Sequence, residues 1–112
     1  MGEWDNIVYL SGPITGVPDY WKAFEQAEEE LNARRCLVLN PAHLPEGMST
    51  RQYMHVDFAM VDIADIVVML PGWENSKGAK LERDYCIYTD KPVIELEDFI
   101  VQLDYREVVS AR

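Results

Sequence analysis

The sequence predicts an α/β protein of three layers (α/β/α), in which a parallel sheet of four or five strands is covered by helices on both faces. Strand-like and helix-like segments alternate β-α-β-α-β-α-β along the chain, the pattern that crossover connections produce. Asp65-Ile-Val-Val-Met-Leu70 is a nearly continuous apolar run, as found in strands buried on both sides. The length of 112 residues suits one hydrophobic core, so residues 1–112 are read as a single domain.

The elements follow in order. Asn6-Ile-Val-Tyr-Leu10 is short, apolar and β-branched, and it ends at the turn-forming Ser11-Gly-Pro-Ile-Thr-Gly16, which marks a first strand. From Asp19, read as the cap, Trp21, Phe24, Ala27 and Leu31 recur at helical spacing, with Glu25 and Glu28 to Glu30 on the other faces. That periodicity predicts an amphipathic helix with Trp21 in its buried stripe. Cys36-Leu-Val-Leu39 is a second strand stopped by Asn40-Pro41, because the residue before proline avoids helical backbone. A loop leads to a second helix from about Thr50 to Ile63, and the run at 65–70 is the central strand. After the loop Pro71–Ser76, a third helix extends to about Thr89, and Lys91-Pro-Val-Ile94 begins a fourth strand. Leu96, Phe99, Ile100 and Leu103 predict a short final helix, and Val108-Val109 is a candidate edge strand.

Lys and Arg number 10 against 20 Asp and Glu, a net charge of −10. The 48% hydrophobic content is too high for an acidic disordered chain, so the charge belongs to a folded surface. Such a surface repels nucleic-acid polymers and anionic membranes, although local donors can hold one small phosphate. Cys36 and Cys86 lie in apolar surroundings without metal-ligand spacing and read as buried thiols in a reducing compartment. No apolar run reaches membrane-spanning length and no signal-peptide pattern opens the chain, so a cytoplasmic location is expected. Gly2 follows Met1, but Asn6 replaces the Ser or Thr of a myristoylation signal.

In parallel sheets of this kind ligands sit at the carboxyl ends of the strands, which selects three loops: 11–16, 40–49 and 71–76. The first contains Ser11, Gly12, Pro13, Ile14, Thr15 and Gly16; its backbone N–H groups suit a phosphate or sugar hydroxyl, and a tight turn needing glycine explains it equally well. In the third, Ser76 caps a helix whose first turn, Gly78-Ala79, is bare, so that substrate has close access to the backbone. Glu82 follows Gly78 by four residues and shares its face; an isolated glutamate there is more commonly a solvated, dipole-favoured residue. Asp57 lies on the second helix toward the ligand edge, whereas Asp65 at the entry of the central strand reads as structural and Asp62 as solvated or a cap. Two converging carboxyls, one a nucleophile and one handling protons, are the equipment of a retaining glycosidase. His43 is a possible substrate contact and His55 a surface imidazole; Tyr20, Trp21 and Trp73 flank the loops as possible stacking platforms. No metal or cofactor is expected.

The segments Tyr9-Leu-Ser-Gly-Pro-Ile-Thr-Gly16, Asn40-Pro41, Asp57 with Ala64-Asp-Ile-Val-Val68, and Leu70-Pro-Gly-Trp-Glu-Asn-Ser-Lys-Gly-Ala-Lys-Leu-Glu82 resemble the nucleoside 2-deoxyribosyltransferase superfamily. The closer likeness is to its DUF4406 branch, frequent in bacteriophages and bacteria. The resemblance spans Asn6 to Ile94 and implies a Rossmann/flavodoxin-like fold. It further implies that Glu82 attacks C1′ of a (deoxy)nucleoside or its 5′-monophosphate, that Asp57 assists at sugar and base, and that Ser76 binds the 5′-phosphate. The loop from Ser11 to Gly16 would contact sugar and phosphate, and a homodimer or higher homo-oligomer is expected. Arg83-Asp84 stands where relatives have an aliphatic residue and Gly.

The expected function is therefore an N-glycosidase or deoxyribosyltransferase acting on a nucleoside 5′-monophosphate. Its catalytic residues would be Glu82 and Asp57, with substrate held by residues 11–16, Trp73, Ser76 and Gly78. Two alternatives accompany it: a non-catalytic protein that sequesters a nucleotide, suggested by Arg83-Asp84, and an NAD glycohydrolase, which the lack of a dinucleotide loop disfavours.

Overall fold

A computed structural model describes residues 4–110; Gly2 and its modification signal lie outside them. Four strands, β1 (Asn6–Ser11), β2 (Cys36–Leu39), β3 (Ile66–Met69) and β4 (Val93–Glu95), pair in parallel in the order β2-β1-β3-β4. The helices are α1 (Tyr20–Asn32), α2 (Thr50–Ile63), α3 (Lys77–Tyr88) and α4 (Leu96–Ser110), with single 3₁₀ turns at Pro41–His43 and Trp73–Asn75.

Strand alternation decides what each face of the sheet covers. In β1, Val8 and Leu10 join Phe24, Ala27 and Leu31 of α1 and Phe99 of α4 in one core cluster. Tyr9 points the other way, into a cluster with Val61 of α2 and Ala79 and Cys86 of α3. Helices thus lie on both faces and the three-layer α/β/α architecture holds. Phe24 and Leu31 are 0% exposed, a burial that contributes roughly 1.5–3 kcal/mol for each side chain.

The chain leaves β1 for β2 on one side and later returns past β1 to β3 on the other, so the strand order reverses between β1 and β3. A reversal of this kind opens a crevice beyond the carboxyl ends of the two strands. Gly12 closes its floor: a Cβ there would sit 2.9 Å from Leu70 Cβ, and the Leu70 N–H donates to the Ser11 carbonyl at 2.8 Å.

Three expectations are corrected. Val108 and Val109 continue α4, and the sheet has four strands; the helical spacing begun at Leu96 simply extends past the β-branched pair. Trp21 is 46% exposed because it lies in the first turn of α1, beyond the buried row Phe24-Ala27-Leu31, with the Lys22 ammonium over its ring. Asp19 precedes α1 in left-handed backbone (φ 53°) without capping through its side chain; its carboxylate pairs with Lys22 at 3.5 Å.

Other readings match. Asp65 is structural, accepting the Ile7 N–H at 2.7 Å, and Asp62 accepts the Tyr85 hydroxyl at 2.7 Å. Cys36 and Cys86 are buried, free thiols. Among the described residues no helix is long and apolar enough to cross a membrane.

Candidate active site

Residues two apart on a strand share a face, so Tyr9 and Ser11 both turn toward α2 and α3. On α3, Ala79, Glu82 and Cys86 form the buried row against the sheet, and Glu82 is its one charged member. The helix is started by Ser76, whose hydroxyl accepts the Ala79 N–H at 3.1 Å. This geometry brings the Glu82 carboxyl, 4% exposed, onto the two strand hydroxyls. Ser11 Oγ donates to Oε1 at 2.6 Å, and the Tyr9 hydroxyl donates to Oε2 at 3.0 Å.

Asp57 arrives from α2, whose amino end is fixed by a reciprocal Ser49 and Gln52 cap. Met54 lies opposite Gly78, its Sδ 3.9 Å from where a Cβ would stand; about one turn further along each helix, Asp57 meets Glu82. Asp57 is 8% exposed and buried beside it, and among the described residues its Oδ1 has no hydrogen-bond partner. A buried, unsatisfied carboxylate oxygen is costly, which sets Oδ1 apart from the two Glu82 oxygens, each of which accepts a hydroxyl.

Burial pushes the Glu82 carboxyl well above the usual carboxylate range; the Ser11 and Tyr9 hydroxyls pull it down, and the neighbouring Asp57 raises it. Burial also raises Asp57, while its hydrogen bond to Glu82 favours its ionised form. Two like charges in contact cannot both be ionised cheaply, so the contact favours one proton shared between the two carboxyls. Tyr9 stays a phenol, held far above its ordinary value by burial and by the Glu82 and Asp57 charges. Burial and Glu82 push the Cys86 thiol up to about 11, which removes it as a nucleophile.

The remaining sequence candidates separate. Ser11, 1% exposed, serves the Glu82 carboxyl from the floor of the crevice. Gly12 abuts Leu70, and Pro13 Cγ is 3.4 Å from where a Cβ on Gly72 would stand, so the first and third loops touch. Ile14 packs on the α1 and α4 cluster, while Thr15 and Gly16 are exposed. Trp73 has a buried indole N–H without a partner and carries the Arg83 guanidinium 4.8 Å above its ring. His43 stands apart with Glu28, 3.7 Å away, and Asn40; His55 is exposed on α2.

Arg83 and Asp84 leave α3 regular from Lys77 to Tyr88, and Asp84 faces solvent. The carboxyl pair itself opens only narrowly. A separate cavity of about 510 Å³ opens at the carboxyl ends of β3 and β4, lined by Met69, Trp73 and Leu96 with Glu74, Glu95 and Glu97, and neither Glu82 nor Asp57 lines it.

Tyr9 is the residue sequence reasoning missed. Its signal was available: it stands two residues before Ser11 in the first strand, and a phenol buried there needs a polar partner.

The arrangement defines a doubly wound α/β protein with a buried carboxyl pair at its topological switch point. The sequence profile of the family described as "Domain of unknown function (DUF4406)" matches residues 6–95, from the first strand through the fourth. The chain belongs to that family. A search of curated proteins found no match.

Proposed function

We propose that the protein is an N-glycosidase or deoxyribosyltransferase that cleaves the bond between base and sugar of a nucleoside 5′-monophosphate. The observation that carries this reading is the contact of Glu82 with Asp57, Ser11 and Tyr9 at the carboxyl edge of the sheet. The kinship of the DUF4406 family with the nucleoside 2-deoxyribosyltransferases, inferred from the motifs at residues 9–16 and 70–82, supplies the reaction class.

The single proton of the pair is suited to a two-step displacement. Substrate enters between the carboxyls, and the proton passes from Glu82 to Asp57. The Glu82 carboxylate, steadied by Ser11 and Tyr9, attacks C1′; the glycosidic bond breaks with its electron pair leaving on the base nitrogen, and Asp57 protonates the base. A glycosyl ester on Glu82 remains. Asp57, now a carboxylate, takes a proton from a water that attacks C1′, and the Glu82 carboxylate is released. A second base in place of water gives transfer.

A homodimer or higher homo-oligomer is part of the same proposal and rests on the family resemblance alone. The test is chromatography of each common deoxynucleoside 5′-monophosphate after incubation with the protein. Free base released by the wild type and not by Glu82→Ala supports the reading, and its absence with all of them ends it.

A further inference from the structure

A phosphorylated substrate approaching this site meets a chain of net charge −10 and a pair of carboxyls that hold one proton between them. A cation close to Glu82 would therefore strengthen phosphate recognition beyond what local N–H and hydroxyl donors supply. Arg83 directly follows Glu82 on α3 and lies about 100° round the helix from it, on the adjoining face.

Arg83 is half-buried, its guanidinium lies 4.8 Å from the centre of the Trp73 ring, and among the described residues it meets no carboxylate or other hydrogen-bond acceptor. A guanidinium stacked on an aromatic face keeps its in-plane N–H groups free, and that fork matches two oxygens of a phosphate. The platform is itself anchored at the ligand edge, since Trp73 begins the 3₁₀ turn between β3 and α3.

We infer that Arg83, held over the Trp73 ring, is the specificity-determining residue that selects a phosphorylated nucleoside over the free nucleoside. The inference rests on the reaction class proposed above and deepens it. The residues that interrupt the relatives' pattern after Glu82 thereby gain a function: Arg83 adds an anion-reading group beside the nucleophile, and Asp84 stays in solvent.

The experiment compares wild type, Arg83→Gln and Arg83→Lys. The first readout is kcat/KM for base release from a deoxynucleoside 5′-monophosphate and from the same deoxynucleoside. The preference for the phosphorylated form should fall roughly 10- to 100-fold in Arg83→Gln, the range for loss of one charge-assisted hydrogen bond. It should recover only in part in Arg83→Lys, which restores charge without the planar fork. An unchanged preference overturns the inference while leaving the reaction class intact.

The second readout is independent of turnover: quenching of Trp73 fluorescence on titration with the monophosphate, the nucleoside and inorganic phosphate. If no base is released from any substrate but the monophosphate binds in an Arg83-dependent way, the reaction class fails and the phosphate site stands. Equal binding of monophosphate and nucleoside by the wild type, or no binding of either, overturns the site.

Discussion

Replacing Ser11 with alanine tests the electrostatics of the Glu82 site with almost no change of shape. One oxygen is removed from a residue that is 1% exposed, so no water takes its place, and Glu82 Oε1 loses a 2.6 Å hydrogen bond. Such a bond contributes about 1.5–3 kcal/mol to an ionised carboxylate and about 0.5–1.5 kcal/mol to a neutral carboxyl. For a domain of this size that corresponds to a fall in Tm of about 5–12 °C in the ionised state.

The cost should depend on pH, in a defined direction. Burial holds Glu82 above the unfolded carboxyl range, and the Ser11 donor holds it down. Stability from this group is therefore full below the unfolded carboxyl pKa and is lost as pH rises toward the folded value. Without Ser11 the folded value moves still higher, so the variant loses more over the same rise. Denaturant melts of both proteins at about pH 5 and about pH 9 give the comparison, with the larger difference expected at the higher pH. A difference that is the same at both, or below about 0.5 kcal/mol throughout as at an ordinary surface site, refutes the account of the site.

Three further outcomes follow from the same contacts. Glu82→Gln keeps an acceptor oxygen for one of the two hydroxyls, puts an N–H donor where the other oxygen was and cannot ionise, so thermal melts should show the variant gaining stability over wild type as pH rises above neutral; a parallel pH dependence contradicts the shared proton. Gly12→Ala forces a Cβ to 2.9 Å from Leu70 Cβ, and a loss of about 1–3 kcal/mol is expected in urea unfolding. If the proposed reaction occurs, its rate should fall as pH rises through the upper pKa of the Glu82–Asp57 pair, because the proton destined for the base is gone; a rate that climbs steadily with pH assigns protonation elsewhere.

The parts of the fold that depend on local pattern were legible in the sequence. The apolar run at 65–70, the turn residues at 11–16 and the helical spacing of Phe24, Ala27 and Leu31 each correspond to an observed element. Trp21 misled because periodicity assigns a face but not how far along a helix the neighbouring sheet extends. Val108-Val109 misled because β-branched composition carries no information on whether a strand has anything to pair with. Glu82 and Asp57 were legible as a pair through one topological rule, the placement of ligands at the carboxyl edge. The hydroxyls that hold Glu82 were not, since Tyr9 and Ser11 lie more than 70 positions away in sequence and only the parity of β1 brings them to it. The stacking of Arg83 on Trp73 likewise needed the turn between β3 and α3 to be seen.

The measurement that bears most directly on Glu82 as the nucleophile is mass spectrometry of the protein caught during turnover of a deoxynucleoside 5′-monophosphate, paired with chromatography of the released base. The account predicts free base from the wild type, a sugar-phosphate adduct on the peptide that carries Glu82, and neither with Glu82→Ala. Full activity in Glu82→Ala, or no base from any of the nucleotides tried, contradicts it.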